Sequence, residues 1–399
     1  MQKKEKIYLD YAATTPMDPL VLKTMEPYFI SKFGNPNSSH LIGQEALQAV
    51  DQAREKIAQF ANCITREVVF TSGATESNNL AIRGVIKSYR RVIKNPEIIT
   101  TEIEHPSVLN TCLDLEQEGT IIKYLKINDK GIIDISEFNN LISDSTVLVT
   151  IMYANNEIGT IQPIREIGKA ISKINKDRKY PIVFHTDAVQ AAGTLSCDVQ
   201  HLHVDLMSFS GHKIYGPKGI GVLYVKKGTS VAAMQTGGDQ EYALRAGTLP
   251  VPMIVGMGKA VELCNLRQDE DRRNMTKLRD WTMHQLVEKL PALKITGAIG
   301  ELRLANNLHL RIDGIDGNDI MFILDSVSQI EISTGSACSA GAPEPSKVLK
   351  AMGMNEKKSR EGIRVSIGRQ TTKFQMTRFV TAYIKAVEKL KEATEKGLT

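Results

Sequence analysis

The chain has 399 residues, 42% hydrophobic and 24% charged, the balance of an ordinary globular protein long enough to build two cores. Its net charge of +5 arises from 50 basic and 45 acidic residues interspersed along the chain, and aromatics make up only 6%, which argues against a polyanion-binding stripe or a stacking platform for nucleic acid. No apolar run reaches membrane-spanning length and no apolar stretch follows the first lysines, so neither a membrane span nor a secretory leader is expected, and the cytoplasm is the simplest location.

From about residue 68 to residue 226, short β-rich runs alternate with helical patterns. Strands are expected at Val68–Thr71, Ile98–Ile103, Ile121–Ile127, Val147–Tyr153, Ile182–His185, Asp205–Ser208 and Gly221–Val225. Helices are expected between many of them, at Thr75–Tyr89, Ser107–Glu118, Ser136–Ile142 and Ile164–Ile174. Such alternation predicts an α/β fold with a mostly parallel sheet covered by helices, its ligand lying beyond the carboxyl ends of the strands. Pro252–Leu290 reads as mainly helical, Asn307–Ile312 and Gln329–Ile332 as strands, and Thr377–Lys396 as a helix of mixed charge. The C-terminal third is expected to form a smaller α+β domain. Between its elements, Ser333–Ser346 is rich in Gly, Ser and Pro and is predicted to be an exposed, mobile loop.

The candidate chemistry sits at the ends of the predicted strands. Lys213, in Ser210-Gly211-His212-Lys213, follows a strand among small and hydrogen-bonding residues. A lysine there is either a solvated surface group or an amine placed for a Schiff base with a carbonyl cofactor. Asp187 closes another strand, where a carboxylate either caps the next helix or keeps a pyridine nitrogen protonated. The turn Thr71-Ser72-Gly73-Ala74-Thr75-Glu76 opens a helix and suits either a plain N-cap or a phosphate. His105 precedes Pro106 and is either a satisfied imidazole or a ring lying on an aromatic cofactor. Asn155 and Asn156 end a strand with two amides, for a turn or for a ligand's oxygens, and Arg364 in an apolar strand is a carboxylate clamp or a snorkelling side chain.

The five cysteines are odd in number and widely spaced, with no C-x-x-C, so neither a disulfide framework nor a zinc site is expected. Cys63, Cys112, Cys197 and Cys264 fall in or beside periodic segments and read as structural. Cys338 lies in the Gly/Ser/Pro-rich stretch, and an exposed thiol there reads as a nucleophile.

Taken together, these stretches closely resemble the cysteine desulfurases of the class V aminotransferase family, of the iron–sulfur-cluster type with a long active-site loop. The likeness runs from Tyr8-Leu9-Asp10-Tyr11-Ala12-Ala13-Thr14-Thr15-Pro16 to Arg364-Val365-Ser366-Ile367-Gly368-Arg369. It includes Gly34–His40, Thr71–Asn79, Glu104-His105-Pro106, Asn155–Gly159 and Gly247-Thr248-Leu249-Pro250. The resemblance implies a fold-type-I architecture. In it, residues 16–255 form a large domain with a mostly parallel seven-stranded sheet that binds pyridoxal 5'-phosphate. Residues 1–15 with 256–399 form a small domain carrying the catalytic cysteine loop, about 333–346.

The resemblance also implies roles. Lys213 holds the cofactor as a Schiff base, His105 stacks on its ring, Asp187 meets its nitrogen and Gln190 its phenolic oxygen. Ala74, Thr75, Ser210 and His212 hold the phosphate with Thr248 of the partner subunit, and Asn156 lies near the cofactor. Arg364 grips the carboxylate of L-cysteine, with Asn155 beside it. Cys338 takes the sulfur as a persulfide, leaving L-alanine, and passes it to an acceptor protein in iron–sulfur cluster assembly or tRNA thiolation. A homodimer is implied. No resident metal is expected, although Cys338 is a candidate transient cluster ligand.

The chain stops soon after its last helix, where scaffold-feeding relatives continue, which leaves the acceptor open. Cys197 stands where relatives often carry an aliphatic residue. The rival readings are a selenocysteine lyase, an aminotransferase on the same fold, which would have no need of Cys338, and an inactive interaction subunit, which Lys213 and Cys338 argue against. A nucleotide-binding dehydrogenase would show G-x-G-x-x-G after its first strand, and this chain does not.

Overall fold

The computed structural model describes residues 6–335 and 344–395. A short strand, β1 (Ile7–Tyr8), comes first and finds its partner only near the other end of the chain. Seven further strands form one sheet: β2 (Val68–Thr71), β3 (Glu97–Thr101), β4 (Ile121–Leu125), β5 (Thr146–Thr150), β6 (Val183–Asp187), β7 (Leu206–Ser210) and β8 (Gly221–Val225). Their spatial order is β2-β8-β7-β6-β5-β3-β4, and only β8 runs against its two neighbours. The carboxyl ends of the other six therefore lie along one rim, beside the start of β8.

Most of these strands are buried along their full length, as a sheet covered on both faces requires. Successive side chains point to opposite faces, and the core divides accordingly. Phe70, Ile99, Val149, Phe184, Met207 and Val222 join one cluster. Their chain neighbours Val69, Ile98, Leu148, Val183, Leu206 and Leu223 join another, against the helices Ala74–Tyr89 and Pro106–Gln117. The first cluster is covered by Leu41–Ala61, Ile164–Ile174 and the first part of a 39-residue helix, Val251–Lys289. The sequence did not lead us to the helix Leu41–Ala61. Its buried stripe is built from Ala46, Ala49, Val50, Ala53, Ile57 and Ala58.

A second body contains β9 (Leu293–Ile295), β10 (Asn307–Ile312), β11 (Ile330–Glu331) and β12 (Gly362–Ser366). Strands β12, β10 and β9 form an antiparallel sheet on which the helix Lys373–Glu395 packs, burying Phe379 and Tyr383. Strand β1 pairs in parallel with β11, and Ile7 and Leu9 lie in the same core, so the start of the chain packs with the C-terminal third. The helix Val251–Lys289 belongs to both bodies: Ile254, Met257, Val261 and Cys264 pack under the large sheet, Met275 and Leu286 in the other core. A division at residue 255/256 falls inside it. Among the described residues, no helix is long and apolar enough to cross a membrane.

Ahead of that helix, three consecutive residues, Glu241, Tyr242 and Ala243, adopt left-handed backbone with φ of 48°, 60° and 61°. Such a run is costly for residues with a Cβ. It is held by a buried ion pair: Arg54 donates to both carboxylate oxygens of Glu241 at 2.6 and 3.0 Å, and Phe70 N–H donates to the same carboxylate at 2.6 Å. Beyond the turn, Arg245 is tied to Glu76 at 2.9 Å, and Thr248 follows, exposed.

Candidate active site

The strand ends bring most of the candidate residues to one rim. Asp187 is the last residue of β6 and is almost fully buried. Its Oδ1 accepts from Val189 N–H at 3.0 Å and its Oδ2 from Asn78 Nδ2 at 2.8 Å. Strand β3 was expected to run to Ile103 but ends at Thr101; the residues released carry the chain to His105, which caps the helix Pro106–Gln117. His105 opens onto the cleft on one side, while its Nδ1 accepts from Ser107 N–H at 3.1 Å and lies 2.8 Å from Ser107 Oγ. Burial of its packed side lowers its pKa, Asp187 works against that, and Lys213 adds to the lowering.

Lys213 sits in the single turn that follows β7. Burial, then the Arg364 charge, bring its pKa down to about 8, with Asp10 and Asp187 opposing. Its ammonium donates to the carbonyls of Ala12 and Ala13 at 2.5 and 2.8 Å. The same segment engages Gln190, whose Nε2 donates to Ala12 O at 3.1 Å, and His212, whose Nδ1 lies 3.1 Å from Thr14 Oγ1. Burial, then Lys213 and Lys218, push His212 down to about 4, so it is neutral at pH 7. The sequence alone did not indicate that residues 12–15 line the lysine.

The turn after β2 makes the other wall. Gly73 opens the helix Ala74–Tyr89 at φ +156°, without a side-chain cap, so the N–H groups of its first turn point to the rim. Gly221 pairs with Thr71 on one side and Ser210 on the other. A Cβ on Gly221 would lie 2.5 Å from the Gly73 carbonyl carbon, so glycine is needed to bring the Ser210 turn beside the Gly73–Thr75 turn. A free helix N-terminus, the Ser210 hydroxyl and a neutral imidazole at His212 form a cradle suited to a phosphate. With an amine of lowered pKa and a buried carboxylate on the same rim, the residues fit pyridoxal phosphate. Thr248 is exposed, and no hydrogen bond joins it to the other candidates among the described residues.

Arg364, from the middle of β12, reaches the rim from the other body. It donates to Asp10 Oδ1 at 2.7 Å and Asn156 O at 3.0 Å, and its buried Nε has no partner among the described residues. Asn155 is fully buried. Its amide donates to Ile103 O at 2.9 Å, and its Oδ1 accepts from Glu157 and Ile158 N–H at 2.8 and 2.9 Å. It therefore shapes the turn from behind and does not line the cleft. Glu157 accepts from the Ser346 hydroxyl and packs against Gly335, the two residues that bracket the stretch holding Cys338. Burial pushes the Glu157 carboxyl up to about 7. Cys338 itself lies outside the described residues. Burial raises the thiol pKa of Cys63, Cys112, Cys197 and Cys264, which keeps those thiols protonated.

Comparison with known proteins gives concordant matches. A family model described as aminotransferase class-V matches residues 7–379. The cysteine desulfurase IscS of Rickettsia massiliae is 43% identical over 389 residues, covering 97% of this chain and 92% of that protein. A solved NifS-like protein superposes with a TM-score of 0.88 at 35% identity, covering 96% of this chain and 100% of the other. The structure of SspA in complex with cysteine gives a TM-score of 0.79 at 36% identity, covering 92% of this chain and 100% of that one.

Proposed function

The chain belongs to the class-V aminotransferase family, and from that membership we infer a pyridoxal-phosphate-dependent cysteine desulfurase that converts L-cysteine to L-alanine and hands on the sulfur. The observation that carries this reading is the meeting of Lys213, Asp187 and His105 at one rim of the sheet, with Arg364 brought there from the other body.

When bound, pyridoxal phosphate supplies an electron sink beside the substrate's Cα. Lys213 would hold it covalently. The Lys213 amine, its pKa lowered to about 8 by burial and the Arg364 charge, would move the substrate's Cα proton. Asp187 would keep a proton on its ring nitrogen, and Gln190 would meet its phenolic oxygen. The first turn at Ala74 and Thr75, Ser210 and His212 would hold the phosphate, with Thr248 of the partner subunit. Arg364 binds the substrate carboxylate in the place its ion pair with Asp10 marks out, next to Asn156. Asn155 acts one step back, by fixing the turn that carries Asn156. The Cys338 thiolate attacks the substrate sulfur: an S–S bond forms, the C–S bond breaks, and the electron pair left on the carbon side takes up a proton to give alanine.

The working unit is a homodimer, supported by the exposed apolar residues Phe29, Ile30, Phe33, Leu41 and Ile42 within one short stretch. The sulfur acceptor is a cluster scaffold or a tRNA-thiolation enzyme, and the working compartment is the cytoplasm.

The test is to mix purified protein with L-cysteine, quantify alanine and sulfide, and weigh the peptide containing Cys338 after one turnover. One added sulfur atom on that peptide and alanine in step with sulfur support the reading. Sulfur on another cysteine, or no alanine, overturns it.

A further inference from the structure

Asn78 lies on the buried face of the helix Ala74–Tyr89 and is fully enclosed. Its amide nitrogen donates in two directions, to Asp187 Oδ2 and to Ser107 Oγ, each at 2.8 Å. These two contacts have far-reaching consequences. Rotating the amide by half a turn would set Oδ1 against the Asp187 carboxylate, acceptor against acceptor, so the orientation is fixed. Oδ1 is then left buried with no partner among the described residues, a cost the fold accepts to keep both donors in place.

The second contact determines the state of His105. The Ser107 hydroxyl has one proton, and its oxygen already accepts from Asn78. That proton is therefore free to go to His105 Nδ1, 2.8 Å away. Ser107 N–H donates to the same nitrogen. With two donors aimed at it, Nδ1 is the unprotonated nitrogen, and the neutral imidazole carries its hydrogen on Nε2. Meanwhile Asp187 is held at both oxygens, by Asn78 on one and Val189 N–H on the other.

We propose that Asn78 is a positioning residue for the reaction, setting through one amide both the carboxylate that meets the cofactor's ring nitrogen and the tautomer of the imidazole on the ring's face. This rests on the roles given above to Asp187 and His105. Asn78 touches neither substrate nor cofactor; from the helix after β2 it acts by fixing two groups that do, at the ends of two other strands, β6 and β3.

The test uses the holoenzyme. Its readouts are the pyridoxal phosphate dissociation constant, by equilibrium dialysis, and the protonation of His105, by ¹⁵N NMR of histidine-labelled protein with the His105 signals assigned by their loss in His105→Gln. Asn78→Ala should raise the dissociation constant about tenfold or more, the loss of one charge-assisted hydrogen bond. In an Asp187→Ala background the same change should add less than about twofold, because its effect passes through that carboxylate. Wild type should show His105 protonated on Nε2 alone in its neutral form. In Asn78→Ala the freed Ser107 hydroxyl can turn to accept from Nδ1–H, so His105 should take up its second proton at higher pH. Ser107→Ala removes a single hydroxyl, should shift the His105 titration the same way, and decides the histidine arm should Asn78→Ala not fold. Equal effects of Asn78→Ala in both backgrounds, or an unmoved His105 titration in either variant, overturn the proposal. If Asp187→Ala alone leaves the dissociation constant unchanged, the assignment of Asp187 fails and the proposal falls with it, a result distinct from additivity.

Discussion

Asp187 was legible because it closes a strand and Lys213 because it lies in the turn just beyond one, where a ligand is expected in an α/β sheet. Two predictions test them. Lys213→Ala should lose the covalent link and the yellow colour, and turnover should fall by about 10²-fold or more, the usual worth of a positioned base; a coloured, active variant would contradict the assignment. Asp187→Asn gives up a charge-assisted bond worth about 1.5–3 kcal/mol, so kcat should drop at least tenfold with the fold intact by circular dichroism. Other residues were hidden because their partners are remote: Asp10 meets Arg364 from the opposite end of the chain, and Asn78 meets Asp187 from another strand end. The one local sign of Asn78 was a polar residue on the apolar face shared with Ala81, Ile82 and Val85.

Glu104, part of a recognised motif, turns out to be a buried acid. Burial pushes it up to about 8, against donors from Met152 N–H and Thr101, with Asp187 adding to the rise. The unfolded chain releases this proton near 4.5 and the folded one only near 8, so folding takes up a proton between those values. Stability should therefore fall as pH rises across that window, by up to about 1.4 kcal/mol per unit. Glu104→Gln mimics the neutral acid and removes the slope. Its melting temperature should gain on wild type from pH 5 to pH 8; an equal difference at both pH values would refute the raised pKa.

At the scale of elements, the strand positions were readable and their ends were not. Strand β2 matches its expected bounds, an unbroken apolar β-branched and aromatic run closed by Ser72-Gly73, whereas β3 stops early so that the chain can lead out to His105. Two-residue β1 could not be read at all, since only β11, far along the chain, makes it a strand. Placement of the phosphate cradle depends on the contact between Gly221 and Gly73. Gly221→Ala should push the Ser210 turn away from the helix start and weaken cofactor retention in dialysis, while the sheet survives. The left-handed turn Glu241–Ala243 depends on Arg54. Arg54→Met strands the Glu241 carboxylate in the interior and should cost about 3–5 kcal/mol in urea unfolding, the typical penalty for a buried charge left alone.

At the scale of the molecule, the resemblance carried the two-body organisation and implied a homodimer. Ile30 and Leu41 are 83% and 89% exposed, with Phe29, Phe33 and Ile42 also exposed within residues 29–42, an exposure that a partner surface would relieve. For the proposed homodimer, light scattering should give about twice 44.1 kDa, and Ile30→Asp with Leu41→Asp should halve that mass and, on the role proposed for Thr248 of the partner subunit, loosen the cofactor. The helix Val251–Lys289 has a further consequence. At 39 residues it is about 58 Å long, and its two halves are rooted in different cores with no break between them. Heat that loosens either core must fray the rod that braces the other. Calorimetry should accordingly record a single endotherm, with the two bodies melting as one cooperative unit and no half-molten species holding one body intact.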